Sequence, residues 1–278
     1  MLISRWLVAL FFVGSSASVA RAQEVLLSGS VRASGTQQPL PYVNIGIRGK
    51  NVGTVADEHG AFSLRVPAAR AADTLTFSAI GYQERAVPLA QLTARQLQPL
   101  LLIPKATALA EVVVRGRAEK VRRLGTTTHN PFLWGAVLHK DTHDSNEFAK
   151  LISLANTPSQ LLQAHLFLRR PTVDTVTFRL NFYRASQALP AERIVEHSIL
   201  VRTAIKNGWV TIDLVPYALT LYEDFYLSFE FLPVKKSSLP TFFYGAQFGG
   251  AALVRTSSLG AWKREPGATL AAYVTVKQ

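Results

Sequence analysis

Cysteine is absent from the 278 residues of this chain. The chain therefore forms no disulfide, offers no cysteine nucleophile, and has no thiol for the lipid anchor of a bacterial lipoprotein. Acidic residues are scarce as well, with 18 Asp and Glu against 30 Lys and Arg, which gives a formal net charge of +12. Such a basic chain is predicted to attract anionic partners through screened Coulomb forces.

The sequence also lacks a hydrophobic run of the ~20 residues that a membrane helix needs. The apolar segment 6–13 is eight residues long, follows Arg5, and precedes a small-x-small pattern at 20–22. These features predict a cleaved signal peptide over residues 1–22, and hence export to the periplasm, the outer membrane or the cell exterior. Without Arg5 and Arg21 the chain keeps 28 basic and 18 acidic residues, a net charge of +10. An exported basic protein is predicted to meet acidic polysaccharide or anionic lipid rather than nucleic acid.

Two stretches of the N-terminal half alternate apolar and polar residues, as half-buried strands do. The apolar members are Val43, Ile45, Ile47, Phe62, Leu64 and Val66. Between the two stretches, Asp57 can accept hydrogen bonds from nearby backbone groups and Gly60 can adopt a positive φ. A tight turn between strands is therefore predicted at 57–60.

Six short segments of the same half combine strand-like runs with turn residues. They lie at 28–31, 39–45, 57–64, 75–78, 80–82 and 111–116. In order and spacing these segments resemble the carboxypeptidase regulatory-like domain of bacterial envelope proteins. The resemblance implies a transthyretin-type β-sandwich over residues 24–116 that serves in binding or scaffolding and has no carboxypeptidase activity. In the wider family such a domain often precedes a TonB-dependent receptor, but the rest of this chain is too short for a barrel of about 22 strands.

Residues 117–130 are predicted to form a basic linker between two domains. The densest cluster of positive charge in the sequence comprises Arg115, Arg117, Lys120, Arg122 and Arg123. A solvated linker is the favoured interpretation of this cluster, and a patch that binds an anionic membrane surface is the alternative.

The C-terminal region, 131–278, is predicted to form a second, jelly-roll-like β-sandwich, which makes the whole chain all-β. Its strand-like runs are rich in aromatic and β-branched residues, and turn signals such as Asn207-Gly208 and Pro266-Gly267 separate several of them. The runs lie at 161–168, 176–183, 198–202, 209–214, 225–232, 242–248 and 270–276. In the run 176–183 the even-numbered residues are apolar and predicted to be buried, whereas the odd-numbered ones offer polar and aromatic groups on the other face.

The polar segment 139–147 is the one constellation that could hold a metal ion. The candidate ligands are His139, Asp141, His143, Asp144 and Glu147, and zinc would need a further ligand from His129, His165 or His197. Imidazole with carboxylates suits zinc, and the oxygen ligands alone suit calcium. Because no zinc-protease or EF-hand spacing is present, a polar loop without a cofactor is predicted. Structural calcium and a metal-dependent hydrolase are the alternatives.

Exposed aromatic residues are the better candidates for a binding site, because flat apolar rings with polar edges suit stacking on sugars or on a partner protein. The candidates near predicted strand ends or turns are Trp134, Trp209, Tyr222, Tyr244 and Trp262. Since most large aromatic residues of a sandwich lie in its core, no more than about two of these five are predicted to be exposed.

These features favour a non-catalytic protein of the cell envelope. Its second sandwich is predicted to bind carbohydrate or another envelope component, and its first sandwich to serve as a spacer or docking module. One alternative is an accessory partner of an outer-membrane assembly that offers strand edges, and another is the metal-dependent hydrolase. The sequence contains no serine-hydrolase elbow and no phosphate-binding loop, so no catalytic residue is assigned.

Overall fold

The computed structural model describes residues 24–92, 99–105, 120–137, 144–169, 175–233 and 242–278. Within these ranges the chain forms strands and three short 3-10 turns, with no α-helix, so the predicted all-β class is confirmed. None of the helical turns in this part of the chain could cross a membrane. The predicted signal peptide, 1–22, and the segment 111–116 lie outside the described residues.

The N-terminal domain is a sandwich of two small sheets. Its strands are β1 (Glu24–Ala33), β2 (Asn44–Gly46), β3 (Gly53–Val55), β4 (Ala61–Pro67), β5 (Thr74–Ser78), β6 (Arg85–Pro88) and β7 (Leu100–Leu102). One sheet has the order β4-β1-β7 and the other the order β3-β2-β5-β6. Strand β4 is antiparallel to β1 and stands at the edge of its sheet.

The core of this domain contains the apolar residues that alternate in the sequence. Phe62 and Phe77 meet edge to face across the two sheets, with ring centroids 5.7 Å apart. The predicted turn at 57–60 is present: Asp57 Oδ1 accepts hydrogen bonds from the backbone N–H groups of His59 and Ala61 at 2.9 and 3.0 Å. Gly60 has a φ of 74°. A Cβ there would lie 2.7 Å from the carbonyl oxygen of Val31, so only glycine fits.

The C-terminal domain is a larger sandwich of thirteen strands. They are β8 (Val121–Gly125), β9 (Trp134–Val137), β10 (Asn146–Ile152), β11 (Ser159–Arg169), β12 (Thr175–Ser186), β13 (Leu189–Arg193), β14 (Ile199–Ala204), β15 (Gly208–Asp213), β16 (Thr220–Leu221), β17 (Phe225–Phe231), β18 (Phe242–Arg255), β19 (Lys263–Leu270) and β20 (Ala272–Lys277). We call β10, β12, β13, β14, β17 and β19 the docking sheet, and β8, β9, β11, β15, β16 and β20 the distal sheet. The long strand β18 pairs with strands of both sheets.

The core of the C-terminal domain fills the space between these two sheets. Phe178 packs edge to face on Phe229 and Phe231, with ring centroids 5.9 and 5.5 Å apart. Leu166 and Val274 enter the same core from the distal sheet. The prediction of two β-sandwich domains is thus confirmed.

Two local predictions for this domain were wrong. Val121–Gly125, within the predicted linker 117–130, is strand β8 and pairs with β20 along the edge of the distal sheet. The pair Pro266-Gly267, whose composition predicts a turn between strands, lies inside β19, where the register against β18 shifts between Phe248 and Ala251. Gly249 and Gly250 of β18 there stand opposite the single residue Gly267 of β19, so the extra residue of this β-bulge belongs to β18.

The N-terminal domain docks on the outer face of the docking sheet through the hairpin of β2 and β3. Gly49 N–H donates to the carbonyl oxygen of Leu259 at 2.9 Å. The hairpin lies close to the loop between β18 and β19. A Cβ on Gly46 or Gly53 would lie 2.4 or 2.5 Å from the carbonyl oxygen of Ser258 in that loop. A second contact joins Lys105 Nζ to Glu196 Oε1 at 2.7 Å.

Candidate functional site

Four charged side chains are buried where the two domains meet. Arg179, Glu147, Glu230 and Arg255 are 3, 1, 0 and 8% exposed, and we call them the ionic cluster. Each stands on a different strand: β12, β10 and β17 of the docking sheet, and β18. The register places Arg179 directly opposite Glu230, and Glu147 opposite both Glu230 and Arg255. Directly opposed residues of neighbouring strands share a face, so the four charges converge on one surface.

Arg179 and Glu230 connect the C-terminal domain to the N-terminal domain. Arg179 Nε donates to Glu230 Oε2 at 2.9 Å, and its Nη1 donates to the carbonyl oxygen of Tyr42 at 2.9 Å. Asn44 of β2 accepts from Arg179 Nη2 and donates from Nδ2 to Glu230 Oε1 at 2.8 Å. The ion pair is therefore completed by groups of the other domain.

Glu147 and Arg255 form the second ion pair of the cluster. Glu147 Oε1 also accepts from the hydroxyl groups of Tyr183, at 2.9 Å, and Ser228. Asn181 Nδ2 lies 3.0 Å from both Glu147 Oε1 and Glu230 Oε2, so it links the two pairs. Both carboxylates are thus surrounded by donors.

The pKa values of the cluster follow from these contacts. Burial acts to raise the pKa of Glu230, but the charge of Arg179 and the hydrogen bond from Asn181 outweigh it and lower the pKa to about 2. Burial, and then the charge of Glu147, raise the pKa of Tyr183 to about 12. Glu230 is therefore ionised at neutral pH, and Tyr183 is protonated.

The ionic cluster has a structural role. Because Glu147 and Glu230 are buried and each is paired with a guanidinium, neither carboxylate is placed to reach a substrate. Sequence reasoning missed this site, since Arg179 and Asn181 lie on the face of 176–183 that was expected to stay open. One available signal was Glu230, a charge inside the aromatic strand Phe225–Phe231.

A row of aromatic rings lies on the side of the distal sheet away from the core, and three of the rings, Phe167, Tyr273 and His165, are buried. His129 stacks on Phe167 with centroids 3.7 Å apart, and Phe167 meets Trp209 edge to face at 5.5 Å. Trp209 contacts Tyr273 at 4.9 Å, and Tyr273 stacks on His165 at 4.1 Å. We call these five rings, together with Trp134 and Phe243, the aromatic band.

Trp134 extends the aromatic band towards β9. It contacts Phe243 at a centroid distance of 6.2 Å and is 45% exposed. Its strand neighbour Gly245 makes room for Phe167, because a Cβ there would lie 2.8 Å from that ring. An arginine lies at each end of the band: Arg169 stands 4.6 Å over Trp134, and Arg123 stands 5.9 Å over Tyr273.

His165 lies within the aromatic band, between β15 and β20. Its Nδ1 is 3.0 Å from Thr211 Oγ1 and its Nε2 is 2.9 Å from Thr275 Oγ1. Burial, and then the positive charge of Arg123, lower the pKa of His165 to about 4. The imidazole is therefore neutral at physiological pH, with one nitrogen donating and the other accepting.

We expect the free energy of unfolding to fall as the pH is lowered from about 6.5 to about 4. The pKa of an unfolded histidine is about 6.5, so the unfolded chain gains a proton on His165 before the folded chain does. The stabilisation is complete above that pH and is lost towards the folded pKa of about 4. Urea unfolding at pH 7, 5.5 and 4.5 measures this decrease in the free energy of unfolding. A His165→Gln variant, whose amide keeps a donor and an acceptor, should show a smaller decrease, and an identical decrease would contradict the assignment.

The five aromatic candidates fall into two groups. Trp134 and Tyr222 are 45 and 55% exposed, while Trp209 and Trp262 are half-buried and Tyr244 is buried. The number of exposed rings agrees with the prediction. Only Trp134 and Trp209 belong to the aromatic band. Tyr222 stands apart beside a small pocket near Glu223, Tyr244 packs on Phe148, and Trp262 covers Arg255 of the ionic cluster.

The candidate metal ligands are not brought together in the described residues. His139, Asp141 and His143 lie outside these residues. Asp144 Oδ1 accepts from the backbone N–H groups of Ser145 and Ser258, each at 2.8 Å, and Glu147 belongs to the ionic cluster. The described residues contain no group of three His, Asp or Glu side chains that could hold a metal ion.

A family model described as the CarboxypepD_reg-like domain matches residues 27–114. This match confirms the family that the sequence segments of the N-terminal domain resemble, and it ends before the C-terminal domain begins. No curated protein is significantly similar to the chain.

Among solved structures, the chain is similar to those of infectious bursal disease virus Gt strain and Gx strain. The identities are 9 and 8%, the similarity covers 92% of this chain and 77 and 78% of those chains, and both TM-scores are 0.27. A third similar structure is the T13 IBDV viral particle, with 11% identity, 91% of this chain, 60% of that chain and a TM-score of 0.23. Scores this low carry no inference about this protein.

Proposed function

We propose that this chain, whose residues 27–114 form a CarboxypepD_reg-like domain, is a non-catalytic binding protein of the cell envelope. Its C-terminal domain holds an acidic polysaccharide on the aromatic band. The observation that carries the proposal is the row of rings with an arginine at each end. The predicted signal peptide, 1–22, supports an envelope location.

Acidic polysaccharides carry two kinds of group that the aromatic band and its flanking arginines can bind, apolar sugar faces and acidic groups. Sugar rings present apolar faces that stack on aromatic rings such as exposed Trp134 and half-buried Trp209. Their carboxylate or sulfate groups pair with guanidinium groups, here those of Arg123 and Arg169. The net charge of +10 that remains without the signal peptide favours the approach of a polyanion from a distance.

The N-terminal domain serves in this proposal as a docking module on the opposite side of the molecule. The ionic cluster and the hairpin of β2 and β3 hold the two domains together. A rigid connection would present the aromatic band in a fixed orientation relative to whatever the N-terminal domain contacts.

Replacing Trp134 with alanine is expected to lower the affinity for acidic polysaccharide about tenfold, which corresponds to about 1.4 kcal/mol. The side chain is exposed and its loss should leave the fold intact. Isothermal titration with alginate and polygalacturonate oligosaccharides, at low and at physiological salt, measures the change. Added salt should weaken binding, because part of the attraction is between charges.

The matched control is Tyr222→Ala, which removes an exposed aromatic ring outside the band. This variant should bind as tightly as the wild type. Absence of binding to all acidic oligosaccharides would refute the proposal. Equal binding to anionic phospholipid vesicles, with the same dependence on Trp134, would instead identify a membrane-binding surface.

A second candidate function is that of an accessory partner in an outer-membrane assembly. The observation that favours it is the edge position of β4 in the N-terminal domain, since an edge strand can pair with a segment of another protein.

A further inference from the structure

Strand β8 forms an outer edge of the distal sheet. Within the described part of the chain it pairs only with β20, and this antiparallel pairing is continuous from Val121 to Gly125. All five residues of β8 except the half-buried Leu124 are exposed, and Leu124 packs on the core. One side of β8 is therefore covered by β20, while the other side is open.

The hydrogen bonds at the two ends of β8 show how its main chain is oriented. The Lys120 N–H donates to the carbonyl oxygen of Gln278 at 2.7 Å, and the Lys120 carbonyl oxygen accepts from the Gln278 N–H at 3.0 Å. At the other end, the Thr126 N–H donates to the carbonyl oxygen of Ala272 at 2.9 Å. In an antiparallel pair, residues that bond to the partner strand alternate with residues whose main-chain groups point to the other side. The even-numbered residues therefore bond to β20.

The odd-numbered residues of β8 direct their main-chain groups away from β20. Val121, Arg123 and Gly125 thus present three N–H donors and three C=O acceptors along the open side of the strand. Among the residues that the structure describes, none bonds to these groups. The three residues follow one another at about 7 Å, the repeat at which a further strand would place its own donors and acceptors. This edge is a template for strand addition.

The edge of β8 lacks the features that commonly prevent a strand from being added. It contains no proline and no bulge, whereas the edge strand β19 contains Pro266 and a shift in register against β18. Its protection consists of charge, because Arg122 and Arg123 lie at its centre. Pairing of β8 with β8 of a second copy would place arginines against arginines, which is unfavourable. The charges therefore select against self-association and favour a strand of opposite charge.

Positive charge is concentrated along this edge without nearby compensation in the sheet. Lys120, Arg122 and Arg123 are exposed, and neither β8 nor β20 contains an acidic residue. Across the sheet from Arg123, the first acidic residue in register is Asp213, three strands away, at about 14 Å. Successive side chains of a strand point to opposite faces, so an added strand would meet one guanidinium on each face. Two neighbouring carboxylates on that strand could each pair with an arginine.

We infer that β8 binds an extended acidic segment of a partner protein, which adds as a strand to the outer edge of the distal sheet and pairs two neighbouring carboxylates with Arg122 and Arg123. This goes beyond polysaccharide binding, because it uses the main chain of β8 rather than the rings of the aromatic band. Arg123 is the only residue that the two sites share.

The first test uses the chain without its signal peptide and a phage-displayed library of random octapeptides. Enriched peptides are expected to carry two adjacent Asp or Glu residues among β-branched ones. Titration calorimetry with the synthetic peptides should show at least a tenfold loss of affinity for Arg122→Glu. Trp134→Ala should leave the peptide affinity unchanged, so that failure of this inference and failure of polysaccharide binding can be told apart.

A pair of variants at Val121 separates strand addition from attraction between charges. Because the Val121 N–H points away from β20, Val121→Pro removes a donor from the open edge and no bond to β20. This variant should lower the peptide affinity about tenfold through the lost hydrogen bond and the bulk of the ring, with an unchanged melting temperature. The matched control, Val121→Ala, keeps the N–H and should bind as tightly as the wild type.

Hydrogen exchange measured by NMR gives a direct view of the edge. In the free protein the N–H groups of Val121, Arg123 and Gly125 should exchange rapidly and those of Arg122 and Leu124 slowly, and saturating peptide should slow the first three. The inference is overturned if no peptide is enriched, if the three N–H groups still exchange rapidly at saturation, or if the two Val121 variants bind equally. Binding of phosphatidylglycerol vesicles but of no peptide, with the same dependence on Arg122, would overturn it in favour of a membrane surface.

Discussion

Replacing Glu230 with glutamine is expected to destabilise the protein by about 3–5 kcal/mol. The substitution leaves the buried Arg179 without its carboxylate partner, and an unpaired buried charge costs about that much. For a chain of this size the melting temperature should fall by about 6–20 °C. Differential scanning calorimetry at pH 7 measures this change in melting temperature.

Two measurements distinguish the loss of this ion pair from an ordinary packing defect. The double variant Arg179→Leu, Glu230→Leu should be less destabilised than the two single variants together, because the removal of both charges leaves neither one unpaired. The difference between wild type and Glu230→Gln should also shrink as the pH falls below about 4, since the pKa of Glu230 is lowered in the folded state and its contribution is lost on protonation. Additive effects would show that the ion pair does not act as a unit.

Replacing Gly46 with alanine is expected to separate the unfolding of the two domains. The new Cβ would lie 2.4 Å from the carbonyl oxygen of Ser258, which belongs to the other domain and cannot turn away as a side chain could. The hairpin must then move, and with it Asn44, which completes the ion pair of Arg179 and Glu230. Calorimetry should show one transition for the wild type and two for the variant.

Gly35→Ala is the matched control, because a Cβ at Gly35 meets nothing within 4 Å. It should unfold in the same single transition as the wild type. Small-angle scattering gives a second measure, since a loosened contact between the domains increases the radius of gyration only in Gly46→Ala. A single unchanged transition in Gly46→Ala would mean that the hairpin contact does not couple the domains.

Sequence patterns predicted those parts of the fold that depend on neighbouring residues. Alternation predicted the strands around Ile45 and Leu64, and the turn at 57–60 followed from an Asp and a Gly that act within a few residues. The aromatic runs of the C-terminal domain predicted most of its strands for the same reason. These signals depend on neighbouring residues, so they can be interpreted without knowing which strands pair.

The candidate sites were less predictable, because they depend on contacts between distant segments. Trp134 and Trp209 were proposed as binding residues one by one, but their place in one aromatic band follows from the pairing of β9 with β18 and of β11 with β15. The charge cluster that includes Arg122 and Arg123 was expected in a solvated linker. Pairing of β8 with β20 instead holds these two residues in an edge strand and places Arg123 over Tyr273.

The face of β12 that carries Arg179 and Asn181 illustrates what the sequence determines and what only the tertiary structure decides. Alternation along the strand determined that these residues share a face opposite Phe178, because that depends only on the geometry of a strand. Whether that face meets water was decided by the N-terminal domain, which covers it and supplies Asn44 from 135 residues away. Burial turned two surface charges into an ion pair that joins the domains, since desolvated charges must be paired.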